Sequence, residues 1–225
     1  MKGDKHMTIY IAGDSTAANQ TNVYVGWGQM LQVFFKPEVV VDNRAANGRS
    51  SKSFIEEKRL DKISMAIQPN DYLLIQFGHN DQKPDERGTQ PFTTYPETLK
   101  KYIDAAREKG ALPVLITSVH RRKFDENGVQ QDTHGDYSEA VRRLAAVEQI
   151  PLIDLHKRSG ELLAELGVEK SIALFTHVAP GVYEKFPNGI KDDTHFSEYG
   201  ATEMAKLVVS EIRANVPQLA KNLQN

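Results

Sequence analysis

Residues 8–18 read TIYIAGDSTAA, and this stretch decides the fold. Residues 8–12 form a short β-branched and apolar run, too short for a helix and bounded by Gly13, which predicts a buried strand. Gly13, Asp14 and Ser15 then fall at its carboxyl end. In an open parallel sheet that edge faces the ligand crevice, so a serine there presents its hydroxyl to a substrate. Gly13 permits a turn or close approach that a Cβ would obstruct. Ser15 is therefore the candidate nucleophile, and the rest of the chain must supply a base and oxyanion donors.

At 225 residues the chain is long enough for one large α/β domain. Lys plus Arg is 28 and Asp plus Glu is 30, a net charge of −2, which argues against general nucleic-acid binding and against a polybasic membrane anchor. There is no cysteine, so disulfide stapling, thiolate catalysis and cysteine metal sites are excluded. No apolar run approaches the roughly 20 residues of a membrane span. The start, MKGDKHM, lacks the apolar core of a signal peptide, which predicts a cytoplasmic location. Residues 1–7 read as a leader or vector-derived segment and residues 8–225 as a single catalytic domain, with Met7 a natural start.

Further strands are predicted at 38–43, 71–77, 112–118 and 151–155, five with the first. Helices are predicted over 28–35, 50–67, 95–109, 136–149, 156–166 and 197–214, the last with Ser197 as N-cap. Residues 171–191 have no clear period and read as an excursion flanking the active site. Gly26-Trp27-Gly28 lacks the third glycine of a dinucleotide fingerprint and follows no strand. Strands alternating with helices make a parallel sheet covered on both faces the natural architecture.

A serine hydroxyl needs a base, and the base needs a group to orient it. Among the seven histidines, His195 has Asp192 three residues earlier in a polar turn. That spacing lets a carboxylate reach Nδ1 while Nε2 points outward. The backbone N–H groups of Ser15 and Gly48 and the side-chain amide of Asn80 are candidate oxyanion donors, each at or near a strand exit. There is no H-x-H or H-E-x-x-H, so no metal and no cofactor is expected.

Taken together, Gly13-Asp14-Ser15, Gly48, Gly78-x-Asn80-Asp81 and Asp192-x-x-His195 occur in an order that resembles the SGNH (GDSL-type) hydrolase family. The resemblance implies a Ser15–His195–Asp192 triad, an oxyanion hole of Ser15, Gly48 and Asn80, and a flavodoxin-like three-layer α/β/α sandwich with a five-stranded parallel sheet. The stretches AGDST, GWGQ, NRAANGRSS, QFGHND and DDTHF resemble rhamnogalacturonan acetylesterases most. That likeness implies a serine esterase removing acetyl groups from pectin-derived rhamnogalacturonan oligosaccharides through an acetyl-enzyme.

For substrate contact, Trp27, Arg49, His79 and Arg121 are candidates. Arg44, Lys52 and Arg122 also leave strand ends where they could meet uronate carboxylates. Tyr183 and Phe186 could stack on sugar rings. Two alternatives stand beside this reading. One is a lipase, lysophospholipase or thioesterase of the same family, with Ile172, Leu174 and Phe175 lining an acyl channel. The other is a non-catalytic sugar-binding protein. The oligomeric state is not legible.

Overall fold

A computed structural model describes residues 7–21 and 23–224. Residues 1–6 of the expected leader lie outside the described residues, while Met7 opens the first strand. Strands β1 (Met7–Gly13), β2 (Val39–Asn43), β3 (Tyr72–Gln76), β4 (Leu112–Ile116) and β5 (Leu152–Ile153) form one parallel sheet in the order β2-β1-β3-β4-β5. This is the predicted five-stranded α/β architecture. Side chains alternate across the strands. Ile9, Ile11, Leu74, Val114 and Ile116 enter one core, and Tyr10, Ala12, Leu73, Ile75 and Leu115 enter the other.

The second core is covered by α1 (Ser51–Glu56), α2 (Arg59–Ala66), α3 (Thr94–Glu108) and α4 (Asp136–Glu148), through residues such as Phe54, Ile63, Tyr102 and Val141. The first is covered by α5 (Leu155–Lys170), α6 (Glu198–Asn215), α7 (Pro217–Ala220) and a 3-10 helix over Trp27–Phe34. Among the described residues no helix is long and apolar enough to cross a membrane.

The structure departs from the sequence reading at three places. The helix expected over 50–67 is two helices, broken where Lys58 takes φ 56°. Phe54 and Leu60 are six residues apart, about 240° around a straight helix, so only a break lets both face the sheet. The helix expected over 28–35 is 3-10 throughout. Within 171–191 the chain forms a short 3-10 turn (Ser171–Leu174) and the strand β6 (Phe175–Val178), which pairs antiparallel with β7 (Ile190–Phe196). Asp192 and His195 thus sit on a strand rather than in a turn before a helix.

That hairpin is tied to the rest of the molecule at both ends. The N–H of Val25 donates to Phe196 O at 3.1 Å, drawing β7 toward the segment that leaves β1. Ser197 caps α6 as expected, its Oγ accepting from Gly200 N at 3.1 Å and donating to Ala173 O at 2.8 Å. A Cβ on Gly200 would fall 1.7 Å from Leu174 O, so only glycine lets the helix start press against the turn before β6.

Candidate active site

Ser15 leaves the carboxyl end of β1 on a turn closed by Ala17 N and Ala18 N donating to Asp14 O at 3.2 and 3.1 Å. The Asp14 side chain is buried beneath it. Its Oδ1 accepts from Thr16 N at 2.9 Å and lies 2.7 Å from Thr16 Oγ1. Burial would raise its pKa, but His79 and the Thr16 donors outweigh that and hold the carboxyl below its ordinary value. Above the turn, Gln20 Nε2 donates to Ser15 O at 2.6 Å. The serine is therefore held on a turn whose backbone is bonded to its own groups and to the Asp14 and Gln20 side chains.

Across 180 positions of sequence, Ser15 Oγ lies 2.9 Å from His195 Nε2. His195 Nδ1 is 2.8 Å from Asp192 Oδ2. Asp192 Oδ1 accepts from the N–H groups of Thr194 and His195 at 2.8 and 2.9 Å, so the carboxylate is locked to the strand that carries the imidazole. Burial pushes the Asp192 carboxyl up. The imidazole and the two N–H groups overcome that and bring it down to about 2. It stays ionised through the neutral range and favours the imidazole tautomer with its proton on Nδ1, leaving Nε2 free to accept. The ring edge of Tyr24 packs on His195 at 5.5 Å between centroids.

Gly48, in the loop after β2, has φ +74°, a conformation that glycine adopts without strain. A Cβ there would meet nothing closer than Arg87 Nη1 at 4.0 Å, so backbone conformation rather than space calls for glycine. Asn80, in the loop after β3, donates from Nδ2 to Arg49 O at 3.0 Å, leaving a second amide hydrogen. Ser15, Gly48, Asn80, Asp192 and His195 line one cleft of about 410 Å³. The arrangement can deliver a serine oxygen to a carbonyl carbon, remove its proton and surround a developing oxyanion with N–H donors.

The model of the GDSL-like lipase/acylhydrolase family matches residues 11–202. The chain belongs to that family. It is 46% identical over 211 residues to a rhamnogalacturonan acetylesterase of Bacillus subtilis (strain 168), covering 92% of this chain and 90% of the relative. A probable rhamnogalacturonan acetylesterase of the same organism is also 46% identical over 211 residues, covering 91% and 92%. Among solved structures, protein YxiM from Bacillus subtilis matches with a TM-score of 0.79 at 28% identity, over 93% of this chain. The match spans 57% of the YxiM chain. An acetylxylan esterase from Geobacillus stearothermophilus shares the fold, with a TM-score of 0.66 at 18% identity over 94% and 96% of the two chains.

The four substrate-contact candidates of this GDSL-like hydrolase are not brought to the cleft. Trp27 has no exposed surface, and its ring N–H donates to Gln76 Oε1 at 2.9 Å, so it is a core residue and not a stacking platform. His79 is 3% exposed, packed behind the Ser15 turn with Nδ1 3.5 Å from Asp14 Oδ2. Arg121 reaches the carbonyl of His79 and the Thr133 side chain, both at 3.3 Å. Arg49 pairs with Glu57 at 2.8 Å, and it meets the residues of the site through its backbone oxygen, which accepts from Asn80, and through Nη1, which donates to Asn47 O at 2.7 Å. Arg44, Lys52 and Arg122 are likewise held, by Asp42, by Glu56 with Glu86 O, and by Asp193.

The cations that do line the cleft are Lys83 and Arg87, together with the polar residues Gln20 and Asn47. Their local sequence, QKPDERG, reads only as a Pro- and Gly-containing connector. The one available signal is its position, a polar loop opening directly after Asn80 at a strand exit.

Residue types that bind metals also meet away from the cleft. His120, Asp132 and His156 bring ligand atoms within 4.8 Å of one another, a juxtaposition that no local motif in the sequence marks. Asp132 Oδ1 lies 3.0 Å from His156 Nε2 and accepts from His134 N and Gly135 N at 2.8 and 3.1 Å. These bonds fasten the loop after β4 to the start of α5.

Asp81, next to Asn80, is fully buried, and both its oxygens accept from Ser51 N at 3.1 Å. Burial raises its pKa from 3.8 to about 7 against those hydrogen bonds. Between these two values the folded chain retains a proton that the unfolded chain has released. Stability from this group is therefore complete below the lower value and lost as pH rises through the higher. The thermal midpoint of the wild type should fall relative to that of Asp81→Asn between about pH 4 and about pH 7. Parallel curves for the two proteins would contradict this assignment.

Proposed function

We propose that the chain is a serine esterase that removes O-acetyl groups from carbohydrate, with pectin-derived rhamnogalacturonan oligosaccharides as substrate. The observation that carries this reading is the Ser15–His195–Asp192 relay at 2.9 and 2.8 Å, opening on a cleft that Gly48 and Asn80 share. The 46% identity to relatives named for rhamnogalacturonan acetyl ester hydrolysis supports the substrate.

In this mechanism Ser15 Oγ attacks the acetyl carbonyl carbon while His195 Nε2 takes the hydroxyl proton. Asp192 holds the imidazole and stabilises its charged form. The tetrahedral oxyanion is received by Ser15 N–H, Gly48 N–H and Asn80 Nδ2. One such donor is worth roughly 2.7–4 kcal/mol in the transition state. Collapse breaks the bond to the sugar oxygen, which leaves with the proton from His195. Water then attacks the acetyl-enzyme, His195 accepting its proton and returning it to Ser15 Oγ as acetate departs.

The cleft favours a small acyl group and a polar leaving group. Its wall carries Gln20, Asn47, Lys83 and Arg87, and the two cations suit a carboxylate-bearing sugar. Leu174 and Phe175, candidates for an acyl channel, are buried in the core beside α6. An ester series from acetate to octanoate tests this directly. Turnover should fall by at least about 100-fold along the series, since the described residues that line the cleft are mostly polar and offer an octanoyl tail little apolar surface. Acetate should be released from acetylated rhamnogalacturonan oligosaccharides faster than from acetylated xylan or chitin oligosaccharides. Octanoate turned over as well as acetate would favour the lipase reading. Failure to deacetylate any of these carbohydrates would overturn the substrate.

A further inference from the structure

The oxyanion role of Asn80 demands one orientation of its amide. The two ends of a primary amide are nearly the same size, yet only Nδ2 donates. Nδ2 has one anchor, the carbonyl of Arg49 at 3.0 Å. The other end faces a cation: Asn80 Oδ1 lies 3.5 Å from Arg87 Nη1. The same guanidinium nitrogen donates to Gly48 O at 3.3 Å. One side chain thus contacts two of the three residues assigned to the oxyanion, although the loops bearing them leave different strands.

Arg87 is itself held from behind. Its Nε lies 3.0 Å and its Nη2 2.5 Å from the two oxygens of Asp85, whose Oδ1 also accepts from Arg87 N at 3.0 Å. Its guanidinium hydrogen bonds to Arg87 hold the Asp85 carboxyl at about 2, ionised wherever the enzyme works. The loop between them is pinned by Gly88 N to Asp85 O at 2.8 Å and Thr89 N to Asp81 O at 2.8 Å. A guanidinium has five donors and no acceptor, and it keeps its proton at every working pH. It therefore meets Asn80 favourably only through Oδ1.

We propose that Arg87 is a positioning residue: braced by Asp85, it fixes the Asn80 amide with Oδ1 toward the guanidinium and one Nδ2 hydrogen in the cleft, and it steadies the Gly48 loop. The Asn80 donor then arrives already oriented. This rests on the esterase reading above, because without an oxyanion the orientation serves nothing. Lysine cannot replace it, since an ammonium on a flexible stem reproduces neither the fork toward Asp85 nor the simultaneous reach to Gly48 and Asn80.

A double-mutant cycle on p-nitrophenyl acetate hydrolysis tests the idea. Asn80→Ala alone should lower kcat by roughly 10²–10³-fold, as for loss of one oxyanion donor. Arg87→Ala should lower kcat by about tenfold or more with KM within about twofold, the signature of an interaction realised in the transition state. In the Asn80→Ala background the same substitution should cost less than about threefold, because residues acting through one another are not additive. Arg87→Lys should fall with Arg87→Ala rather than with the wild type. The proposal is overturned if Arg87→Ala costs less than about threefold, or costs as much without Asn80 as with it. The second pattern is what a merely structural loop residue gives. Should Arg87→Ala fail to fold, Arg87→Gln carries the same cycle. A wild type inactive on this ester, or an Asn80→Ala variant as active as wild type, would strike the esterase reading instead.

Discussion

Replacing Ser15 with alanine should lower kcat for p-nitrophenyl acetate by roughly four to six orders of magnitude, the range for loss of a triad nucleophile. The size of the effect follows from how little else the substitution changes. Ser15 Oγ has the His195 imidazole as its partner at 2.9 Å, and the turn around it is built from backbone groups and from Asp14, Thr16 and Gln20. Removing one oxygen beside an open cleft leaves no buried cavity, so the melting temperature should stay close to that of the wild type. What remains is hydrolysis by water in a cleft that still offers Gly48 N–H and Asn80 Nδ2. A variant with unchanged thermal stability and undiminished turnover would remove Ser15 from the mechanism.

Asp192→Asn is expected to cost about 10⁴-fold in kcat while preserving the shape of the site. An asparagine Oδ1 can still accept from Thr194 N and His195 N, the bonds that fix position 192 on β7. Its other end, however, now donates to His195 Nδ1. That forces the ring proton onto Nε2, the atom facing Ser15 Oγ, and an N–H there cannot receive the serine proton. The wild-type carboxylate avoids this because its hydrogen bonds from His195 and Thr194 prevail over burial and keep it at about 2. Melting curves and kcat measured on the same preparation distinguish a tautomer error from misfolding. Activity within tenfold of wild type would mean that His195 is oriented by something other than Asp192.

Much of this was legible in the sequence because the relevant interactions are local in it. Five short apolar runs separated by amphipathic stretches have one economical packing, and alternation within each run sends Ile9 and Ile11 to one core and Tyr10 and Ala12 to the other. Asp192 and His195 lie three residues apart, so their pairing shows in the chain itself. The features that stayed hidden depend on distant partners. The β6–β7 hairpin pairs FTHV with a strand full of charge, and no period marks KDDTH as extended. Trp27 and His79 carry groups suited to sugar contact, yet neighbouring residues close over them, because burial is decided by what packs above a residue rather than by its type. The cations read as substrate ligands were chosen by proximity to strand ends. Arg49 is taken by Glu57 and Arg122 by Asp193, Arg121 turns to Thr133 and the His79 carbonyl, and the loop that brings Lys83 and Arg87 back over the site carries no local mark.

The claim beneath all of this is that Ser15 becomes covalently acylated. Mass spectrometry of the intact chain after exposure to an organophosphonate, followed by peptide mapping, tests it most directly. The expected result is one adduct per chain, on Ser15, with labelling lost in Ser15→Ala and strongly slowed in Asp192→Asn. An adduct on any other residue, or an unmodified Ser15 in an enzyme the reagent has inactivated, would contradict it.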